Sequence, residues 1–364
     1  MFHRFPIGAE VSLCVFLFVG TAYGQVRYTM TDLGSLGGVS SVANGINDTG
    51  QVVGWSSTSS GSTHSFLWQS SSGMQDLGTL TSYSLLSEAS CINNSGSVAG
   101  FSANSSFTAH AFLWQGNSGM QDLGALGGNS TQAEGINNAG KVVGYSNNYA
   151  FLWQSGSGMQ NLGTLPGYSM SFAYGINDDG QVVGYAGNSN TNHAFVWQSS
   201  SGMQDIDGLA GRWSYANSIN DVGQVVGWAE IGSDYMHERA FLWQSGSGMQ
   251  YLQLLAGESG CAAQGINNSG QVVGEVWDSN SNWHAFVYSN GTMADLNTLT
   301  DTNLGLTLRE ASAINDSGQI VGYGTDSAGH YHAFLLTPSS RARNLRPPRH
   351  RYRRPIRLRL AMAA

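Results

Sequence analysis

Beyond its first two dozen residues the chain has no run approaching the roughly 18 consecutive apolar residues that a membrane-crossing helix needs, which excludes a helical span there. Cysteine is scarce: Cys14, Cys91 and Cys261 are the three in 364 residues. Neither C-x-x-C nor H-E-x-x-H occurs, so the recognisable zinc patterns are excluded and no metal or cofactor is expected. No convincing nucleophile elbow, P-loop or dinucleotide fingerprint is present, and no catalytic residue is assigned. Basic residues are few in the body of the chain, where residues 25–340 hold five against 22 acidic ones. Such a body lacks the cations that phosphate neutralisation requires, which excludes nucleic acid as a partner.

The two ends differ from the body. Arg4, the apolar run Val11 to Gly20 and the small-residue site Ala22-Tyr23-Gly24 have the layout of a cleavable export signal over residues 1–24. The expected product is therefore secreted, either extracellular, at the cell surface or in a periplasm. Cys14 leaves with the signal, and Cys91 and Cys261 are expected as two buried free thiols. Residues 341–364 carry nine of the 15 basic residues and no carboxylate. They read either as a disordered basic tail that touches an anionic surface polymer, or as a drift of the reading frame.

What is abundant is repetition. The Asn of a recurring Ile-Asn pair falls at Asn47, Asn93, Asn137, Asn177, Asn220, Asn267 and Asn315, at intervals of 46, 44, 40, 43, 47 and 48 residues. Each unit resolves into four short segments: SVANGIND (Ser41 to Asp48), GQVVGW (Gly50 to Trp55), HSFLWQ (His64 to Gln69) and MQDLGTL (Met74 to Leu80). The second is rich in β-branched residues and ends on an aromatic in six of seven copies. All are too short for helices and are bounded by Gly, Asn, Asp and Ser, so four strands per unit are predicted. The body begins with a fourth segment, Tyr28 to Leu36, and its last unit stops after a third, His332 to Leu336. These complementary partial units predict an all-β, seven-bladed β-propeller of four-stranded antiparallel blades over residues 25–340, closed by the N-terminal strand completing the last blade. The fourth segment is placed outermost and the Ala-bearing first segment innermost. Phe66 with Trp68, and their equivalents, should fill the space between blades.

The strings His110-Ala111-Phe112, His193-Ala194-Phe195, His284-Ala285-Phe286 and His332-Ala333-Phe334, with GINDxGQVVG and MxDLGTL, resemble the HAF-repeat family of bacterial extracellular proteins. The resemblance covers Tyr28 to about Pro338, with Ser65, Tyr149 and Arg239 as departures. It implies export and a repeat fold and transfers no activity. Many such relatives are expected to end in an anchoring segment with an apolar span, which the basic tail here lacks.

Connections between second and third strands, and from each outer strand to the next inner one, vary in length and emerge on one face; the other face is uniform. Binding is expected on the variable face. Its aromatics and carboxylates are the candidates: Tyr83, Glu88, Tyr168, Trp213, Tyr235, Glu238, Trp277, Asp278, Trp283 and Glu310. The competing reading is that such rings pack over blade ends. The HAF histidines, spread around a ring, read as packing or hydrogen-bonding residues rather than metal ligands. The expected function is a non-enzymatic recognition protein for a glycan or an extracellular protein. The alternatives are a polysaccharide hydrolase or lyase using Glu88, Glu134 and Glu310 near the channel mouth, and a structural or adhesive surface component.

Overall fold

The computed structural model describes residues 26–339, apart from 117, 207–210, 233–237 and 301–303. The expected signal and basic tail lie outside the described residues. Within them, 28 strands group into five four-stranded sheets and one eight-stranded sheet. The larger sheet is two blades joined by a lone parallel bridge, Thr63 to Leu86, so the architecture is seven four-stranded antiparallel blades, as predicted.

Each blade follows from its four segments. In the first, Gly37–Ile46 is innermost and is followed outward by Val52–Thr58, Thr63–Gln69 and Gly73–Gly78. Asn47 builds the turn between the inner two strands: its side-chain oxygen accepts from the Thr49 and Gln51 N–H groups at 3.1 and 3.0 Å. Gly50 follows at φ 79°, where a side chain would be strained. A bulge at Ala43/Gly45 then brings the Val42 carbonyl so close over Gly54 that a Cβ there would collide with it. The second Gly of GQVVG is therefore steric in origin, and Gly100, Gly144, Gly184, Gly227, Gly274 and Gly322 meet the equivalent carbonyls in the other blades.

Seven hydrophobic clusters fill the seven clefts between blades. Phe66 and Trp68 pack with Ala43 and Val52 against Val321, Ala333 and Leu335 of the last blade. On the first blade's other face, Val53 and Leu67 meet Ala89, Val98 and Phe112 of the second. The period-2 pattern thus serves both faces of every sheet, which explains why the strands read as nearly continuous apolar runs.

Closure is visible in the ladder. Tyr28–Asp32 pairs antiparallel with Tyr331–Pro338, running Tyr28 to Pro338 through Asp32 to Phe334. Tyr28, Met30 and Leu33 are buried there, the first two in the cluster holding Phe334 and Leu336. Cys91 and Cys261 are free thiols as expected; Cys261 is buried and Cys91 half-buried. One departure is a single helical turn, Leu296–Leu299, where only strands were predicted. Asp295 caps it by accepting from the Asn297 N–H at 2.8 Å, and Leu296 and Leu299 are buried beneath it.

Candidate functional site

The axial channel is built in tiers, each from one recurring position. At the uniform face, the side-chain amide of every repeat Asn donates to the backbone carbonyl of the next one. The chain of bonds runs Asn47, Asn93, Asn137, Asn177, Asn220, Asn267, Asn315 and back to Asn47, all at 3.0–3.1 Å. A second closed circle lies beside it: the N–H groups of Asp48, Asn94, Asn138, Asp178, Asp221, Asn268 and Asp316 each donate to the side-chain oxygen of the next, at 2.8–3.0 Å. These residues line a cavity of about 170 Å3. Behind them stands a waist of seven isoleucines, from Ile46 to Ile314, that also lines the chamber on its far side. Asn177→Ala removes bonds to Gln181 and Asn220 from a buried position. The expected loss is about 2–4 kcal/mol in denaturant unfolding, with an exposed Asn190→Ala as the near-neutral control.

Beyond the waist is a chamber of about 210 Å3 lined by Asn44, Ser90, Glu134, Tyr174, Asn217, Gln264 and Ser312. It opens toward the variable face through a mouth formed by the next inner-strand residue of each blade and its second-strand partner. Those pairs are Val42 with Trp55, Glu88 with Phe101, Gln132 with Tyr145, Phe172 with Tyr185, Tyr215 with Trp228, Ala262 with Glu275, and Glu310 with Tyr323. Over the third to fifth blades the rings touch in sequence. Tyr145–Phe172, Phe172–Tyr185, Tyr185–Tyr215 and Tyr215–Trp228 have centroids 4.9, 4.9, 4.5 and 4.3 Å apart. The Tyr145 hydroxyl donates to Gln132 at 2.6 Å, and Tyr215 accepts from Asn192 at 2.6 Å, which holds two of the rings in place.

Carboxyls stand at both ends of this aromatic crescent. At one end Glu134, half-buried on the chamber wall, has its pKa pushed up to about 8 by burial and then by Glu88. Burial raises Glu88 as well. At the other end Glu275 is raised by burial and then by Glu310, and Glu310 by burial. Gln264 donates to Glu275 at 3.4 Å and the Ser312 hydroxyl to Glu310 at 3.2 Å. Each pair comes from adjacent blades, so ring geometry alone places like charges side by side and out of bulk water.

Of the residues predicted from sequence, Glu88 and Glu310 stand in this mouth. Tyr83 does not: its ring stacks on His110 at 4.2 Å and packs against the second cleft's core. Tyr168 likewise packs on the core and lies 5.4 Å from His193. Trp277 and Trp283 face each other across one blade tip at 4.6 Å, with Trp283 38% exposed. Trp213 is 36% exposed and its carbonyl accepts from the Glu230 N–H. Glu238 sits opposite Glu230 in register, and its pKa is raised by burial and then by that neighbour. Asp278 closes a turn: Asn282, through side chain and then backbone, and Asn280 hold it down at about 2. Tyr235 lies outside the described residues. The residues that sequence reasoning passed over are Phe172, Tyr174, Tyr215 and Glu275, with the second-strand aromatics Tyr145, Tyr185 and Trp228. The signal for Tyr145, Tyr185 and Trp228 was the closing aromatic of GQVVGW, and for Glu275 its place in the one copy that lacks that aromatic; Phe172, Tyr174 and Tyr215 lie in the first segment, where no aromatic recurs in every copy.

The HAF histidines serve the blades. Nδ1 of His64, His110, His193, His284 and His332 lies 2.8–3.3 Å from Asp76, Asp122, Asp205, Asp295 and Asp32, tying each third strand to its outer strand. The two copies without His, at Tyr149 and Arg239, also lack the Asp, carrying Asn161 and Tyr251. Among the described residues no group of three or more His, Cys, Asp or Glu side chains is arranged to hold a metal ion, and no helix is long and apolar enough to cross a membrane.

A closed ring of blades around a tiered axial channel defines a seven-bladed β-propeller with a lined cup at one mouth. The chain belongs to the family described as "Protein of unknown function (DUF3466)", whose model matches residues 27–333. No curated protein matches it. Its fold is similar to that of virginiamycin B lyase from Staphylococcus aureus, at 10% identity and a TM-score of 0.54 over 86% of this chain and all of that one. It is also similar to the β-propeller domain of the Trilobed protease from Pyrococcus furiosus, at 9% identity and a TM-score of 0.53 over 85% of this chain and 95% of that one. That propeller is described as having an open velcro topology, whereas here the N-terminal strand completes the last sheet.

Proposed function

We propose that the protein is an exported recognition protein that binds a glycan in the cup at the variable-face mouth of its channel. The observation that carries this reading is the crescent of touching rings from Tyr145 to Trp228. Flat apolar faces beside hydroxyls, amides and carboxyls suit a sugar, which has both a C–H face and a hydroxyl rim. Trp213, bridged to Asn192, and Trp283, at the start of its blade's third strand, are exposed and supply further rings for a longer chain. Trp228→Ala should weaken binding to a hit from a glycan array at least about tenfold, with the melting temperature within a few degrees of wild type. Equal loss of binding and stability would return Trp228 to a packing role.

One observation favours a second reading. Glu134, protonated near neutral pH beside Glu88, has the makings of a general acid with a carboxylate partner. If the protein cleaves the glycan, new reducing ends will accumulate on incubation and Glu134→Gln will abolish them. Binding with no product removes the hydrolase reading.

A further inference from the structure

We infer that the glycan bound in the cup carries free amino groups, its ammonium groups seating at the carboxyl pairs that flank the aromatic crescent. This rests on the glycan reading above and adds the chemistry of the ligand. The inference stands on three observations about the same cavity.

First, the arrangement is a run of ring faces ending in carboxyls on both sides, Glu88 and Glu134 at one end and Glu275 and Glu310 at the other. A sugar stacked on the rings presents its substituents to those ends. A substituent that is positively charged gains from the carboxylates and from the ring faces it crosses, because an ammonium is attracted to the face of an aromatic ring. A neutral sugar can donate its hydroxyls to the four carboxyls but offsets none of their charge, and an acidic one is repelled by them.

Second, the carboxyls have too few partners of their own. Glu134 is half-buried, lines the chamber and has no hydrogen-bond partner among the described residues. A half-buried carboxyl with no protein donor is open to a donor from the ligand, and an ammonium carries three.

Third, among the described residues no basic side chain acts on these carboxyls. The groups around Glu134 are Glu88, Cys91, Tyr145 and Tyr174, all acidic or neutral. Those around Glu275 are Glu310, Gln264, Glu238 and Tyr323. Arg309 reaches only the rim, bonding Thr325 and the Trp283 carbonyl and acting on Tyr323. The charged groups that face Glu134 and Glu275 are thus carboxyls of neighbouring blades, and a cationic substituent complements them.

Titration calorimetry of the full chain with a glucosamine tetramer and its fully N-acetylated counterpart tests this at pH 6, where the sugar amine is protonated. The free-amine tetramer should bind at least about tenfold more tightly. Its binding enthalpy should depend on the buffer, because an arriving ammonium forces protonated carboxyls to ionise and release protons. Glu134→Gln should shrink the preference to about threefold or less and abolish most of the proton release. Equal binding of the two tetramers overturns the ammonium inference and leaves the glycan reading standing. Binding of neither, together with Trp228→Ala inert across a glycan array, overturns both. A lysine-rich peptide that binds more tightly than either tetramer makes the cup a reader of basic protein and overturns the assignment to a sugar.

Discussion

A chain lacking residues 27–36 will lose its cooperative melting transition, whereas one lacking residues 341–364 will melt within a few degrees of the full chain. The first deletion strips the last sheet of its outer strand. Tyr28, Met30 and Leu33 are 1%, 5% and 5% exposed, and burying side chains of that size is worth about 1.5–3 kcal/mol each. Their removal also uncovers Phe334 and Leu336, which are fully buried, and unties His332 from Asp32. The sum rivals the whole stability of a typical domain, about 5–15 kcal/mol. The second deletion takes no strand from any described blade. Calorimetry of the two chains is the measurement, and equal melting temperatures would show that the ring does not depend on the strand supplied by the N-terminus.

Stability will fall as pH rises from about 4.5 to about 8, and Glu134→Gln will remove a large part of that fall. The folded pKa of Glu134 is pushed up to about 8 by burial and then by Glu88, while in the unfolded chain the same carboxyl ionises near its ordinary value of about 4.3. Between these two values the folded state holds a proton that the unfolded state has given up, so raising the pH favours unfolding. The penalty is complete once the pH passes the folded value, and is on the order of 5 kcal/mol before screening by chamber water reduces it. Gln at this position keeps the shape and carries no charge. The variant should match wild type near pH 4.5, exceed it at pH 9, and retain a shallower slope from the raised Glu275 and Glu310. Melting temperatures across this range at fixed ionic strength will show it; parallel curves for the two proteins would mean that Glu134 titrates normally.

The blades were legible because their inter-blade bonds demand the same residue in every copy. An Asn that must cap its own turn and reach the next blade's carbonyl has no equivalent substitute, so its recurrence marks the period directly. The order of segments revealed the closure for a similar reason: Asp32 has its His at position 332 and no other. The cup was harder to see. Trp228 and Tyr185 lie in strands whose aromatics also read as ordinary β-propensity, and only the assembled ring sets both against Tyr215. Glu275 stood out as the odd copy but reads as a solvated strand end until its blade is set beside Glu310. Trp277 and Trp283 drew attention instead, although they sit opposite each other at strand ends and their rings pack together. The helical turn at Leu296–Leu299 is too short to show a period, and its one trace is the capping Asp295. The joint loss of His and Asp in the third and fifth blades was readable from sequence as a sign of contact.

The circle of asparagine amides donates in one rotational sense throughout, from Asn47 around to Asn315 and home again. Every blade therefore offers the same leading donor and the same trailing acceptor, whichever neighbours it has. A unit inserted, lost or moved to another place in the order leaves no orphaned partner at this seam, so the circuit itself has no first member and no last. Copies are interchangeable at the uniform end of the axis, and that interchangeability frees the opposite end to differ from blade to blade, with carboxyls in some and rings in others.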